Sequence, residues 1–448
     1  MVCKFMTDNK INKEDIESYY KTYDYNSRRP VFIELEMLDD RQEDLLMRSD
    51  TFCMYPWTHI HAWPDGYVFP CCGTDTNPIG SLKFHTLEEL WNSEDQKQLR
   101  LDMLNGVKNE ICKRCHEQEE SGFFSMRNSA NKHLGHHIER VGKTNPDGSY
   151  DDFNIVYWDV RFSNLCNFRC RSCGPNFSSN WYEDAVRIHG GKPIGHKKVI
   201  YAGKDKEDVW QQMKPHIPYL EQVYFAGGEP MIMEEHYRVL KELVRLEKFD
   251  VKLIYNTNFS MMRYKDLDVL EFWKLFDSVS VGASLDAAGP RGELMRKGTD
   301  WDQACRNRER MLEVCPGVDF YVSPTLSLMN SLHVPDFHRE WIDRGFLRPL
   351  DLNINILQSP NYYRLDSLTP GLKQEVRAKY EEHIAYIEPK DPLTRATNGF
   401  KSAIQFMEAN DNTPVLPEFN RVMARLDGIR DESFYDVFPE LKELEQYV

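Results

Sequence analysis

The sequence predicts an α/β fold: a parallel sheet interleaved with helices, doubly wound or curled into a barrel, with a cysteine-bearing module before it and a helical extension after it. Three observations predict this. Strand-like runs recur at 155–162, 222–226, 251–255, 278–284, 319–325 and 351–357. Helical stretches separate them, such as 233–245, where Met233, Tyr237, Leu240 and Val244 share one face. Finally, eight of the 11 cysteines fall in two groups, leaving Cys3, Cys305 and Cys315 as ordinary thiols.

Composition narrows the classes. A chain of 448 residues with 41% hydrophobic content can fill a barrel with additions, or two to three domains. A net charge of −15 weighs against nucleic acid as a partner, because such binders carry a basic footprint. The polar start, 1–13, lacks a signal core, and no run of about 18 apolar residues follows. These features point to a soluble, cytoplasmic protein without a membrane partner. An odd total of 11 cysteines, most of them clustered, suits metal ligation in a reducing compartment better than disulfides.

In chain order, residues 1–50 read as an N-terminal packing extension with helix-like stretches at 13–23 and 38–47. Residues 51–130 form the module. Runs at 58–63 and 67–70 flank the turn Pro64-Asp65-Gly66, so Cys53 stands before a hairpin and Cys71 and Cys72 after it. Thr86-Leu87-Glu88-Glu89 is a capping box opening a helix with Leu87, Leu90, Trp91 and Leu99 as its apolar positions. Gly106 ends that helix, and Cys112-Lys113-Arg114-Cys115 is expected on a loop. Spacing alone leaves tetrahedral zinc and an iron–sulfur cluster open for these thiols. Residues 131–150 read as a turn-rich linker; its His133, His136 and His137 could bind metal but are expected to be solvated. The sheet occupies 151–360, and 361–448 is a helical extension with helices expected at 372–387 and 402–409.

The chemistry begins at Cys166, Cys170 and Cys173, spaced C-x3-C-x2-C directly after the first sheet strand. Crowded thiolates are soft ligands, and three of them leave one iron of a [4Fe–4S] cluster open to a ligand that is not protein. The second strand ends in Gly227-Gly228-Glu229-Pro230. Its glycines permit close backbone approach, and its carboxylate can accept from an ammonium group.

On these two motifs the sequence resembles the radical S-adenosylmethionine (SAM) superfamily. The resemblance implies a partial (β/α)6 TIM-like barrel with Cys166, Cys170 and Cys173 holding the cluster that binds SAM. It implies that Gly227, Gly228, Glu229 and Pro230 meet the SAM amino group, that Asn256 lies among the contacts ending the third strand, and that Ser284 and Asp286 meet the ribose. Arg296 is placed either to meet the SAM carboxylate or to form a surface salt bridge. Ser172 departs from the bulky residue the family has before its third cysteine. The N-terminal group resembles a SPASM/twitch module set ahead of the barrel. That likeness implies one auxiliary [4Fe–4S] cluster on Cys53, Cys71, Cys112 and Cys115, with the count from Gly66 favouring Cys71 over Cys72.

The activity implied is reductive cleavage of SAM and hydrogen abstraction by a 5′-deoxyadenosyl radical, fed by a one-electron reductant such as flavodoxin or ferredoxin. The auxiliary cluster implies a net oxidation. The substrate is expected to be a small metabolite; a ribosomally made peptide is the alternative, and a non-catalytic iron–sulfur or zinc protein the contrasting class. No residue stands out as catalytic acid, base or hydrogen donor.

Overall fold

The computed structural model describes residues 28–448 apart from 75, 121 and 123. The helix expected at 13–23 lies outside the described residues. Fourteen strands are present among them: β1 (His59–Ala62), β2 (Tyr67–Phe69), β3 (Gly80–Ser81), β4 (Tyr157–Val160), β5 (Arg169–Cys170), β6 (Gln222–Phe225), β7 (Lys252–Thr257), β8 (Arg263–Tyr264), β9 (Leu267–Asp268), β10 (Val279–Ala283), β11 (Arg296–Lys297), β12 (Asp319–Val322), β13 (Thr325–Leu326) and β14 (Asn355–Ile356). The main sheet runs β12-β10-β7-β6-β4-β1-β2-β3.

From β4 to β12 every pairing in that sheet is parallel, and helices such as Glu234–Arg245 and Trp301–Val314 cross between strands. Alternation sets the two faces. On β7, Leu253, Tyr255 and Thr257 are buried against the helices, whereas Lys252, Ile254 and Asn256 are half-buried on the interior face. The sixth run continues the barrel beside 322–326. Asp351, Val322, Pro324 and Leu326 carbonyls accept from Val322, Asn353, Asn355 and Leu357 amides respectively. Pro324 has no N–H to donate, so the pairing breaks into a bridge at Leu352 and the short β13–β14 ladder.

The N-terminal module is part of this sheet. β1 pairs in parallel with β4, His59 beside Tyr157 and His61 beside Asp159. The expected hairpin forms, with Gly66 at φ +94° closing the turn; a Cβ there would stand 2.5 Å from the Ala202 carbonyl. The Thr86–Glu89 capping box is formed, but the helix it opens stops at Trp91. A second helix, Glu94–Leu104, starts from a Ser93 cap.

Two expectations are corrected. Cys112 ends a short 3-10 turn and Cys115 lies on the helix Lys113–Glu120, not on a loop. Residues 131–150 are not a linker: the helix Met126–Leu134 runs into a 3-10 helix, Gly135–Lys143, with Asn131, Leu134, Ile138 and Val141 buried. Asn131 holds the chain around Cys53, accepting from the Met54 amide (2.9 Å) and donating to the Phe52 carbonyl (3.0 Å). The histidines are not simply solvated: His136 and His137 each bond Glu221, at 2.8 Å.

The extension is helical, with Pro370–Ile387, Arg395–Ala409 and Leu416–Arg430 as its long members. The last of these clamps the loop after β4. Arg171 pairs with Asp427 and Glu432, and buried Asp184 takes Arg169 and Arg430, each at 2.9 Å.

Candidate active site

At the C-terminal ends of β4 and β6, two loops lock together. Cys166 and Cys170 are buried around Phe168, with Cys173 against them. Burial pushes all three thiols up, Cys173 to about 12. Trp181 donates to the Cys170 carbonyl (2.6 Å), and the Phe168 amide donates to the Cys166 sulfur (3.4 Å). β5 pairs with β11, setting Cys170 opposite Arg296.

The Gly-Gly-Glu turn closes on this loop. Gly227 and Gly228 adopt φ of +81° and +53°. A Cβ on Gly228 would stand 2.3 Å from the Leu165 carbonyl, and one on Gly227 would stand 2.7 Å from the Arg161 side chain. The Glu229 amide donates to that same Leu165 carbonyl (2.8 Å). Its carboxylate is buried and accepts from Thr257 Oγ1 (2.8 Å), the Asn258 amide (2.7 Å) and the Met231 amide (3.1 Å). Burial raises its pKa to about 7 despite these donors. Pro230 opens the 3-10 turn that supplies the Met231 amide.

Other predicted residues divide. Asn256 lies on the interior face and donates to Tyr224 Oη (2.6 Å), so Thr257 and Asn258, its two successors, are the residues that hold Glu229. Ser284 is half-buried and bonds the Thr257 carbonyl through its amide (2.8 Å). Asp286 is buried; it accepts from Arg296 Nε (2.7 Å), Arg296 Nη2 (2.9 Å) and the Thr325 amide (2.8 Å). Arg296 therefore forms an internal pair, not a surface one, and its Nη1 reaches to 3.9 Å from the Cys170 sulfur.

The second thiol group lines one small cavity. Cys53, Cys71, Cys112 and Cys115 border it with Met103, Met126 and Arg127, and Cys72 does not. Four converging thiols in an apolar pocket fit a fully ligated cluster. Burial pushes them up, Cys71 and Cys112 to about 12, so loading releases protons. Cys72 stands outside the cavity, its sulfur 3.7 Å from that of Met126 at the rim and close to Asp159 and Arg161.

Asp159 and Arg161 lead from this module into the barrel. Asp159 is fully buried with His61 Nδ1 at 3.0 Å; burial opposes its charge, but His61 and Arg161 outweigh this and hold it well below the usual carboxylate range. The Arg161 guanidinium lies over Trp63, 4.2 Å from the ring centroid, with Nε 3.5 Å from Asp159. Tyr224 and Asn256 continue the polar lining. No local spacing marks Asp159 or Arg161 in the sequence; only strand alternation along β4 could have put them on the interior face.

The SPASM iron–sulfur cluster-binding domain matches residues 53–116, and the radical SAM superfamily matches residues 160–324. No curated protein matches the chain. Among solved structures, native anSMEcpe with bound AdoMet and the Cp18Cys peptide is 18% identical with a TM-score of 0.30, covering 50% of this chain and 56% of its own. Histidine-tagged anSMEcpe with bound AdoMet gives 17% identity and a TM-score of 0.33, covering 53% and 57%. TYW1 with a lysine-pyruvate adduct gives 11% and 0.28, covering 53% and 72%. The chain thus spans a little over half the length of the anSMEcpe structures it matches. Membership brings a [4Fe–4S] cluster with SAM, and auxiliary iron–sulfur binding in the SPASM region. No helix among the described residues is long and apolar enough to cross a membrane. The chain belongs to the radical SAM superfamily and carries a SPASM iron–sulfur cluster-binding domain ahead of its barrel.

Proposed function

We propose that this enzyme abstracts hydrogen from a small polar metabolite, a sugar, nucleotide or amino-acid derivative, and completes a net two-electron oxidation. In this reading Cys166, Cys170 and Cys173 hold the SAM-binding cluster, and Cys53, Cys71, Cys112 and Cys115 hold one auxiliary [4Fe–4S] cluster. When bound and reduced by a flavodoxin- or ferredoxin-type donor, these groups supply a 5′-deoxyadenosyl radical and an acceptor for the electron left on the substrate.

The observation that carries this reading is the polar interior face between the two thiol sets. Cys71 lines the module cavity, its neighbour Cys72 faces Asp159 and Arg161, and Arg161 packs where a Cβ on Gly227 would stand. A substrate on that face has one thiol set at each end. Its lining of Arg161, Tyr224 and Asn256, with buried Asp159 behind Arg161, suits a polar molecule, and the Arg161 guanidinium over Trp63 suits a carboxylate or phosphate on it.

The chain's own residues bind and orient. Glu229 has two oxygens with about four acceptor sites and uses three, which leaves room for an ammonium proton. Ser284 and Asp286 would meet the ribose of bound SAM, and Arg296 fixes Asp286 while standing beside Cys170.

Anaerobic reconstitution followed by an assay for 5′-deoxyadenosine tests the core claim. The protein should release it under reducing conditions, and a Cys166→Ala, Cys170→Ala, Cys173→Ala variant should not. Equal release from both would end the proposal. Deuterium transfer from labelled polar metabolites, with short peptides alongside, then identifies the substrate; transfer from peptides alone would overturn the small-metabolite reading.

A further inference from the structure

At the opposite pole of the barrel, three ligand-type side chains converge. Glu221 directly precedes β6, and its backbone is fixed in the sheet: its amide donates to the Val156 carbonyl (2.9 Å), and its carbonyl accepts from Lys252 (2.8 Å). His136 and His137 are consecutive residues of the 3-10 helix Gly135–Lys143. Their Nε2 atoms stand 2.8 Å from Glu221 Oε2 and Oε1 respectively. The imidazole centroids are 4.1 Å apart, and Phe32 packs edge-on against His136 at 5.3 Å.

We propose that His136, His137 and Glu221 form a divalent transition-metal site, of the zinc class, that fastens the N-terminal module to the start of the second barrel strand. One ligand atom from each residue lies within 4.8 Å of the others. Zinc takes nitrogen and oxygen ligands at about 2.0–2.2 Å, so ligand atoms around one ion stand roughly 3–3.6 Å apart, a spacing these side chains reach by small rotations. Two imidazoles and a carboxylate are a borderline nitrogen–oxygen set that selects zinc, nickel or cobalt over calcium or magnesium. The side chains are 22%, 14% and 36% exposed, sheltered yet open to an ion and a completing water. The site is separate from both thiol groups: those lie after β4 and in the module cavity, whereas Glu221 is at the N-terminal end of its strand.

The competing arrangement is a staple in which each neutral imidazole donates its Nε2 proton to one carboxylate oxygen. The two make different predictions for the fully reconstituted protein. After chelator treatment and titration with zinc chloride, the metal site takes up one zinc per chain with no change in iron. Zinc then raises the melting temperature by a few degrees once it exceeds its dissociation constant about a hundredfold. Glu221→Gln and His137→Gln weaken zinc uptake at least tenfold and abolish the shift. Cobalt(II) gives visible bands without the near-ultraviolet sulfur charge-transfer band that binding at a cysteine site would give. No zinc uptake, uptake equal in the variants, or a sulfur band with cobalt each overturns the proposal. A zinc-free Glu221→Gln protein that melts lower, while zinc moves neither protein, identifies the staple and overturns it equally.

Discussion

The Asp286 carboxylate and the Arg296 guanidinium face each other through two hydrogen bonds of 2.7 and 2.9 Å, with side chains only 1% and 13% exposed. Breaking a buried pair from one side strands a charge, at a cost of about 3–5 kcal/mol. Asp286→Asn is therefore expected to lower stability by roughly 3 kcal/mol, read from denaturant unfolding of the anaerobic protein. Arg296→Met alone should do similar damage, while the Asp286→Asn, Arg296→Met double variant should lose less than the sum of the two.

The division between Cys71 and Cys72 is open to direct measurement. Cys71 lines the module cavity and Cys72 points toward Asp159. With two [4Fe–4S] clusters, reconstituted wild type should hold about eight irons per chain. Cys71→Ser is expected to fall to about four, and Cys72→Ser to stay near eight.

Gly228→Ala probes the docking of the two loops. Its methyl would meet the Leu165 carbonyl at 2.3 Å, and backbone cannot yield as a flexible side chain does. Its φ of +53° adds strain for any residue with a Cβ. SAM binding should weaken tenfold or more, a loss of about 1.4 kcal/mol, measured by equilibrium dialysis.

Glu229 gives a pH signature. Its pKa is raised by burial to about 7 from an ordinary 4.5, so the folded chain binds the extra proton between those values. Stability from this group is complete below about pH 4.5 and falls as pH rises to about 7. Glu229→Gln lacks that loss. Its melting temperature should gain on wild type as pH rises from 5 to 7 and hold a constant offset above that.

The clamp on the cluster loop makes a kinetic prediction. Arg171 joins that loop to Asp427 and Glu432 in the extension. Asp427→Asn with Glu432→Gln should speed iron loss to a chelator by roughly tenfold, which corresponds to about 1.4 kcal/mol of lost anchoring. An unchanged rate would show that the extension does not guard the loop.

What the sequence made legible was local. Cys166, Cys170, Cys173 and the Gly-Gly-Glu turn announce themselves because their chemistry sits within a few positions, and the strands from 155 onward carry clear apolar runs. The helices at Met126–Leu134 and Lys113–Glu120 were hidden because their buried faces are polar. Arg127, Asn128 and Asn131 are buried for what they bond, so no apolar period marks them. The internal pairing of Arg296 and the roles of Thr257 and Asn258 depend on side-chain directions at strand ends, which spacing does not encode.

The parallel pairing of β1 with β4 has a consequence for how the chain reaches its fold. β4 is flanked by β6 on one side and by β1 on the other. Without residues 59–62 it would present a bare row of amides and carbonyls, the template on which sheets aggregate. The module thus doubles as an edge guard, and since it precedes the barrel in the chain it can be waiting when β4 leaves the ribosome. A fragment beginning at residue 151 should accordingly self-associate on refolding, as seen by light scattering, and adding the separate 28–150 segment should suppress it.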